Sequence, residues 1–180
     1  MQNEPAFRFD KLKGADLKGK DFRYAAFENA DLSGADLSGA YLYKANLKGA
    51  LLIGTNLSGA NLVDANLSGA NLYGARLVDA NLAEANLWKA NLKRACMIDT
   101  NLWGANLGNA NLEGANLKNA NLKDAFLWRT NLDGAKLHGT NYKTNYNTNY
   151  GTNYGADYNT NYNANYSINY NTCYNTCPLR

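Results

Sequence analysis

A large apolar residue recurs every five positions from Phe7 to Leu137 without a single insertion. The first centres are Phe7, Leu12, Leu17, Phe22, Phe27 and Leu32, and Leu or Met holds every later one. Two residues before each centre, from Ala15 to Ala135, stands Ala or Thr in every unit except Lys20. The residue just before the centre is usually Asn or Asp, as at Asn61, Asn66 and Asn71. Two residues after it, 20 of the 27 units carry Gly, Asn or Asp.

A period of five suits neither regular helix nor flat strand. On a helix, five residues advance about 500°, so successive leucines fan around the surface. On a strand, an odd period sends alternate leucines to opposite faces. Both conflicts disappear if the chain bends once per unit. Ala and Leu, two apart in a short extended segment, then point the same way. The Gly/Asn/Asp position takes the bend, because these residues best tolerate turn dihedrals. Four bends of about 90° close a square turn of 20 residues, and successive turns stack about 4.8 Å apart.

Units such as Ala60-Asn61-Leu62-Val63-Asp64 and Ala105-Asn106-Leu107-Gly108-Asn109 resemble the A(N/D)LXX units of the pentapeptide repeat family. The resemblance covers residues 5 to about 144. It implies an all-β solenoid, a right-handed quadrilateral parallel β-helix of about seven coils and about 34 Å. The expected organisation is an N-terminal extension over 1–4, the β-helix over 5–144 and a low-complexity Tyr/Asn/Thr tail over 145–180.

If residues 20 apart share a face, the outward surface can be read directly. The first face carries Arg8, Glu28, Lys48, Ser68, Trp88, Gly108 and Trp128 just after its centres. Trp88 and Trp128 fall two coils apart, about 9.6 Å, with Gly108 between them and Lys89 and Arg129 at the edges. Trp103 lies on the adjoining face. Together Trp88, Lys89, Trp103, Gly108, Trp128 and Arg129 form the candidate partner-binding surface. Either the two rings frame a slot for a side chain or a flat anionic ligand, or they fold over Gly108 and cover the coil.

Little else suggests chemistry. His138 is the only histidine, and Asp79 and Asp99 stack on an open surface beside Val78 and Ile98. No catalytic, cofactor-binding or metal-binding residues are assigned. The Asn column is expected to bond to neighbouring backbone and to itself one coil away. Three cysteines make no disulfide framework, and Cys173 and Cys177 repeat the spacing of the tail. No apolar run approaches the roughly 20 residues that span a bilayer. The first residues lack the basic and apolar regions of a signal peptide, so a cytoplasmic location is expected.

The chain's net charge is +3, and residues 1–141 hold 16 basic and 14 acidic side chains. This mixture lacks the one-sign stripe of a nucleic-acid footprint. The expected function is a non-enzymatic structural or protein-interaction module, with possible self-association through the coil ends or the tail. Two alternatives stand beside it. Some members of the resembled family mimic duplex DNA and bind type II topoisomerases, which requires a strongly negative surface. The other is an enzyme that uses the rod as a scaffold.

From Tyr142 to Tyr174 the period changes to four, with Asn, Thr and Gly as filler. A helix, an extended cap and a low-complexity, largely disordered tail compete for this segment. Tyr142 to Tyr154 is expected to shield the last coil near Leu137, leaving looser structure beyond.

Overall fold

The computed structural model describes residues 12–141. The N-terminal extension, the unit centred on Phe7, the tail with its expected cap, and Cys173 and Cys177 lie outside them. The described chain is a right-handed quadrilateral β-helix. At five residues per side and four sides per coil, it completes six and a half coils.

Every unit closes with the same tight turn. The amide of the next small residue donates to the centre's carbonyl, as Ala65 N does to Leu62 O at 3.0 Å. The third residue of each turn has positive φ, from 54° at Arg129 to 75° at Gly139. A single positive φ at that place marks a type II turn. Glycine takes it at little steric cost, and Asn and Asp tolerate it. Tyr24, Lys44, Glu84, Lys89, Arg94 and Arg129 adopt the same φ without that advantage.

Between turns, three backbone hydrogen bonds per unit tie one coil to its neighbours. Leu62 N donates to Asn81 O (2.7 Å), Asp64 N to Ala83 O (3.0 Å), and Asn61 N to Ala40 O (2.9 Å). Each side therefore pairs in parallel with the residue 20 positions on, as in Asn61 with Asn81. These pairings satisfy backbone groups that the tight coil removes from water.

The interior is a column of leucines flanked by alanines. Leu32 through Leu117, with Met97 among them, have essentially no exposed surface at the centres. The first described coil carries Phe22 and Phe27 instead, packed edge to face at 5.1 Å. Lys20 stands at a small-residue position on this coil and is exposed.

Three threonines replace core alanines and remain buried. The hydroxyls of Thr55, Thr100 and Thr130 donate to the carbonyls of Leu32, Leu77 and Leu107 on the preceding coil, at 2.7–2.8 Å. Each buried hydroxyl thus has a partner, removing most of the penalty of placing it in the core.

Outside, the Asn column behaves as expected. Asn101 Nδ2 donates to Asn81 Oδ1 at 2.9 Å, and Asn121 repeats the contact onto Asn101. The same oxygens accept backbone amides two residues on, as Asn101 does from Trp103. At the last described residue, Asn141 Oδ1 takes the Leu122 amide at 2.8 Å. At the centres from Leu17 to Leu117 a backbone carbonyl fills that role.

Two tests follow from this packing. Leu72 is fully buried, and shortening it in a narrow core leaves a cavity. We expect Leu72→Ala to lower unfolding stability by about 2–5 kcal/mol in a denaturant titration. Gly59 has φ +66°, and an added Cβ there meets nothing within 4 Å. Gly59→Ala therefore isolates the backbone effect, with an expected loss of about 1–2 kcal/mol. An unchanged midpoint for Gly59→Ala would contradict the turn assignment.

A pH effect follows from the first coils. Hydrogen bonding from Ser38 chiefly, with Lys18 and Asn56 nearby, holds the Asp36 carboxyl below its ordinary 3.8. A depressed carboxylate contributes stability above its unfolded pKa and loses it as pH falls through the folded value. Asp36→Asn keeps the acceptor for the Ser38 amide, normally held at 2.9 Å, but cannot titrate. The drop in Tm between pH 7 and pH 3 should be smaller in this variant than in the parent.

Candidate functional site

The first face places Trp88, Gly108 and Trp128 at the same position of successive coils. Gly108 has no positive φ, so its turn role is that of an ordinary second residue. What it supplies is space. A Cβ there would stand 2.5 Å from Trp88 Cζ3 and 3.0 Å from Phe126 Cε1. The Trp88 ring therefore lies over the glycine and fills the level between the two tryptophans.

Trp88 and Trp128 stack nearly parallel, with centroids 6.0 Å apart and planes 7° from parallel. That is within the range of aromatic pairs in direct contact. The spacing is shorter than the two-coil distance because the rings lean toward each other across Gly108. Of the two arrangements open at the sequence level, the rings adopt the covering one. They present a continuous aromatic surface, with no slot between them for a third ring.

The cations occupy distinct places. The Arg129 guanidinium sits 4.5 Å from the centroid of the Trp128 ring, a cation–π contact. Lys89 is exposed beside Trp88. Both have positive φ, 58° at Lys89 and 54° at Arg129, so each Trp is followed by a cation on a turn that favours glycine. Trp103 is exposed on the adjoining face, and its Nε1 donates to Asp124 Oδ2 at 3.1 Å.

Phe126 is the component that sequence reasoning missed. It interrupts the Asn column two residues before Trp128, is 43% exposed, and reaches the space over Gly108. The signal was an aromatic residue in a column that carries Asn46, Asn66, Asn86 and Asn106 on the four coils before it. A second aromatic group lies toward the other end. Tyr24 and Tyr43 meet edge to face at 5.6 Å, and Lys44 Nζ lies 5.1 Å from the Tyr43 centroid.

The polar residues considered for chemistry are dispersed. Asp79 and Asp99 occupy exposed positive-φ turns, and Asp99 Oδ1 accepts from Asn119 Nδ2 at 3.0 Å. His138 is exposed. Among the described residues, no three His, Cys, Asp or Glu side chains converge as a metal site would require. No helix among them is long and apolar enough to cross a membrane.

Cys96 departs from the sequence reading. It replaces an Asn of the outer column, is 1% exposed, and is disulfide-bonded. Counting an odd number of cysteines could not show which two are neighbours in space, because coiling separates spatial from sequence distance.

Gly108→Ala tests the aromatic arrangement directly. The new methyl group must displace Trp88, at an expected cost of about 1–3 kcal/mol. The exciton couplet of the Trp88–Trp128 pair should weaken in the circular dichroism spectrum, as it should in Trp88→Phe. An unchanged couplet in Gly108→Ala would contradict the stack.

Comparison with known proteins agrees with the geometry. The family described as pentapeptide repeats matches in eight copies, over residues 11–39, 40–77, 75–114 and 110–141. No curated protein sequence matches the chain. Among solved structures, HetL from the cyanobacterium Nostoc sp. strain PCC 7120 is 34% identical, with 69% of this chain and 71% of that chain covered and a TM-score of 0.36. HetL is a pentapeptide repeat protein involved in heterocyst differentiation regulation. Rfr23, a pentapeptide repeat protein from the cyanobacterium Cyanothece 51142, is 30% identical over 72% of this chain and 82% of that one, with a TM-score of 0.25. QnrB1, a plasmid-mediated fluoroquinolone resistance protein, is 19% identical over 74% and 84%, with a TM-score of 0.35. On the matched repeats and the coil geometry together, the chain belongs to the pentapeptide repeat family.

Proposed function

We propose that this chain is a non-enzymatic interaction module that binds a protein partner through the aromatic–cationic surface of its first face. The observation that carries this reading is the Trp88–Trp128 stack with Arg129 against the outer ring. Trp and Arg are the residue types most enriched among those that dominate binding energy at protein interfaces. Stacked rings are already ordered, so less side-chain entropy is lost when a partner docks. Lys89 and Arg129 favour a partner segment with carboxylates beside an apolar side chain. Trp103 extends the surface around the corner.

The reading is a cytoplasmic one, following from the sequence. The topoisomerase-binding alternative is the weaker of the two, because acidic and basic residues nearly balance over residues 1–141. Substitution for DNA in a basic groove depends on concentrated negative charge.

Affinity capture from the native host tests the proposal, with the full chain, Trp88→Ala and Trp128→Ala as separate baits. A partner retained by the full chain should be depleted at least tenfold on both variants. Its binding to Tyr73→Ala, on the neighbouring face, should be unchanged. Equal capture on all four baits would refute the assigned surface.

A further inference from the structure

Counting round the coil from the face of Trp88, the second face carries Lys13, Ser33, Ile53, Tyr73, Lys93 and Glu113 just after its centres. Midway along it the outer column breaks. Asn91 Nδ2 donates to Asn71 Oδ1 at 2.9 Å, but one coil before Asn71 stands Leu51. Asn71 Oδ1 also takes the Tyr73 amide, and Leu51 has no side-chain oxygen to do the same for Ile53. Backbone pairing runs unbroken from Asp31 through Leu51 to Asn71, so the coil itself does not require the substitution. Leu51 and Ile53 are each 40% exposed, and Tyr73 is exposed beside them. Neither aliphatic residue joins a buried apolar cluster among the described residues. A local rule broken without a gain inside the chain points to a contact outside it.

The surroundings of this patch specify what fits it. Its corners are bare, with Gly49 and Gly69 on one side and Gly54 and Gly74 on the other, so a flat surface can approach closely. Charges follow in mirrored order. Outward from Ile53 come Asp31 and then Lys13; outward from Tyr73 come Lys93 and Arg94 and then Glu113. Within the chain, Lys93 Nζ pairs with Glu113 Oε1 at 2.8 Å, and Arg94 Nη1 donates to Tyr73 Oη at 3.3 Å. Each of these groups has further donors or acceptors to offer a second partner. Turned end for end, this face is complementary to itself.

We infer that a second copy of this chain docks on the second face, antiparallel, about a two-fold axis crossing the rods midway between the levels of Ile53 and Tyr73. That axis sets Ile53 of each copy against Tyr73 of the other, with Leu51 alongside. Gly54 meets Gly74 and Gly49 meets Gly69, so the corners add no bulk. One coil further out, Asp31 lies at the level of Lys93 and Arg94 of the other copy; one coil beyond that, Lys13 meets Glu113. Every contact occurs twice, as an isologous interface requires. From Lys13 to Glu113 it spans five coils, about 24 Å. Apolar residues hold the middle and charged residues the rim, the usual anatomy of a specific interface.

Charge also selects this register over its alternatives. A parallel pair sets Lys13 against Lys13 and Lys93 against Lys93, which repel. Moving the antiparallel axis half a coil toward Lys13 sets Lys13 against Lys93, and moving it the other way sets Lys93 against Ile53. Because the axis lies across the rods, the first faces of the two copies fall on the same side of the pair, and the pairing is independent of what they bind.

Sedimentation equilibrium of the full chain between about 1 µM and about 1 mM tests the pairing. We expect a monomer–dimer equilibrium. Ile53→Asp sets a carboxylate against Tyr73 in two places and should raise the dissociation constant about a hundredfold. Leu51→Asn restores the column's usual residue and should raise it about tenfold, while the Tm at high dilution stays the same or rises. Lys13→Glu and Glu113→Lys each set like charges opposite one another at both rim contacts, so each variant alone should pair about tenfold more weakly. Mixed in equal amounts, these two variants regain opposite charges at both contacts and should pair as tightly as the parent. Unchanged circular dichroism identifies the variants that keep the rod. Three results would overturn the proposal: a full chain that stays monomeric throughout this range, a dimer indifferent to both Ile53→Asp and Leu51→Asn, or charge variants that pair no better mixed than alone.

Discussion

Parallel hydrogen bonding between coils is the interaction on which everything else in this molecule depends. Each five-residue side donates to both neighbouring coils, as Leu62 does to Asn81 and Asn61 does to Ala40. Those bonds hold only if every side has the same length, and that in turn requires a turn at every fifth residue. The positive φ of the third turn residue, kept even at Tyr24 and Arg94, sets that interval. Once it is set, Leu stacks on Leu and Ala on Ala without further instruction. The narrow interior follows from the same constraint, because sides this short leave room for little beyond those two residue types. Where the core departs from them, at Thr55, Thr100 and Thr130, the hydroxyl bonds to a carbonyl of the adjacent coil and the register survives.

This dependence explains what could be read from the sequence. A strict period exposes its own register, so the inward columns, the bend position and the sharing of faces by Trp88, Gly108 and Trp128 were legible before any coordinates. The behaviour of the Asn column was legible too, because an amide next to backbone and next to its own copy has few other partners. What the pattern did not encode was how long side chains lean. Ladder spacing sets the two tryptophans two coils apart and left both a slot and a closed cover open; the rings meet at 6.0 Å because Gly108 places no side chain at the intervening level. Phe126 escaped notice for a related reason. It belongs to the column rather than to the outward position, and only its ring reaches the site.

The same rigidity shapes the functional reading. A rod whose inward positions are fixed can vary only outward, and its distinctive residues are few. On the first face, aromatic rings and cations share successive coils. On the third, an arginine and a cysteine displace asparagines beside an apolar cluster. We propose that the first receives a partner protein. Both sets of substitutions leave the hydrogen bonds beneath undisturbed.

The most direct test of the coil register is the measurement of scalar couplings across hydrogen bonds in isotopically labelled protein. They report which carbonyl carbon each amide nitrogen faces. The account predicts a coupling from Leu62 nitrogen to the carbonyl of Asn81, and from Leu67 to Asn86, repeated wherever the coils stack. Couplings from these amides to carbonyls four residues back, or to any register other than nineteen residues on, would contradict it.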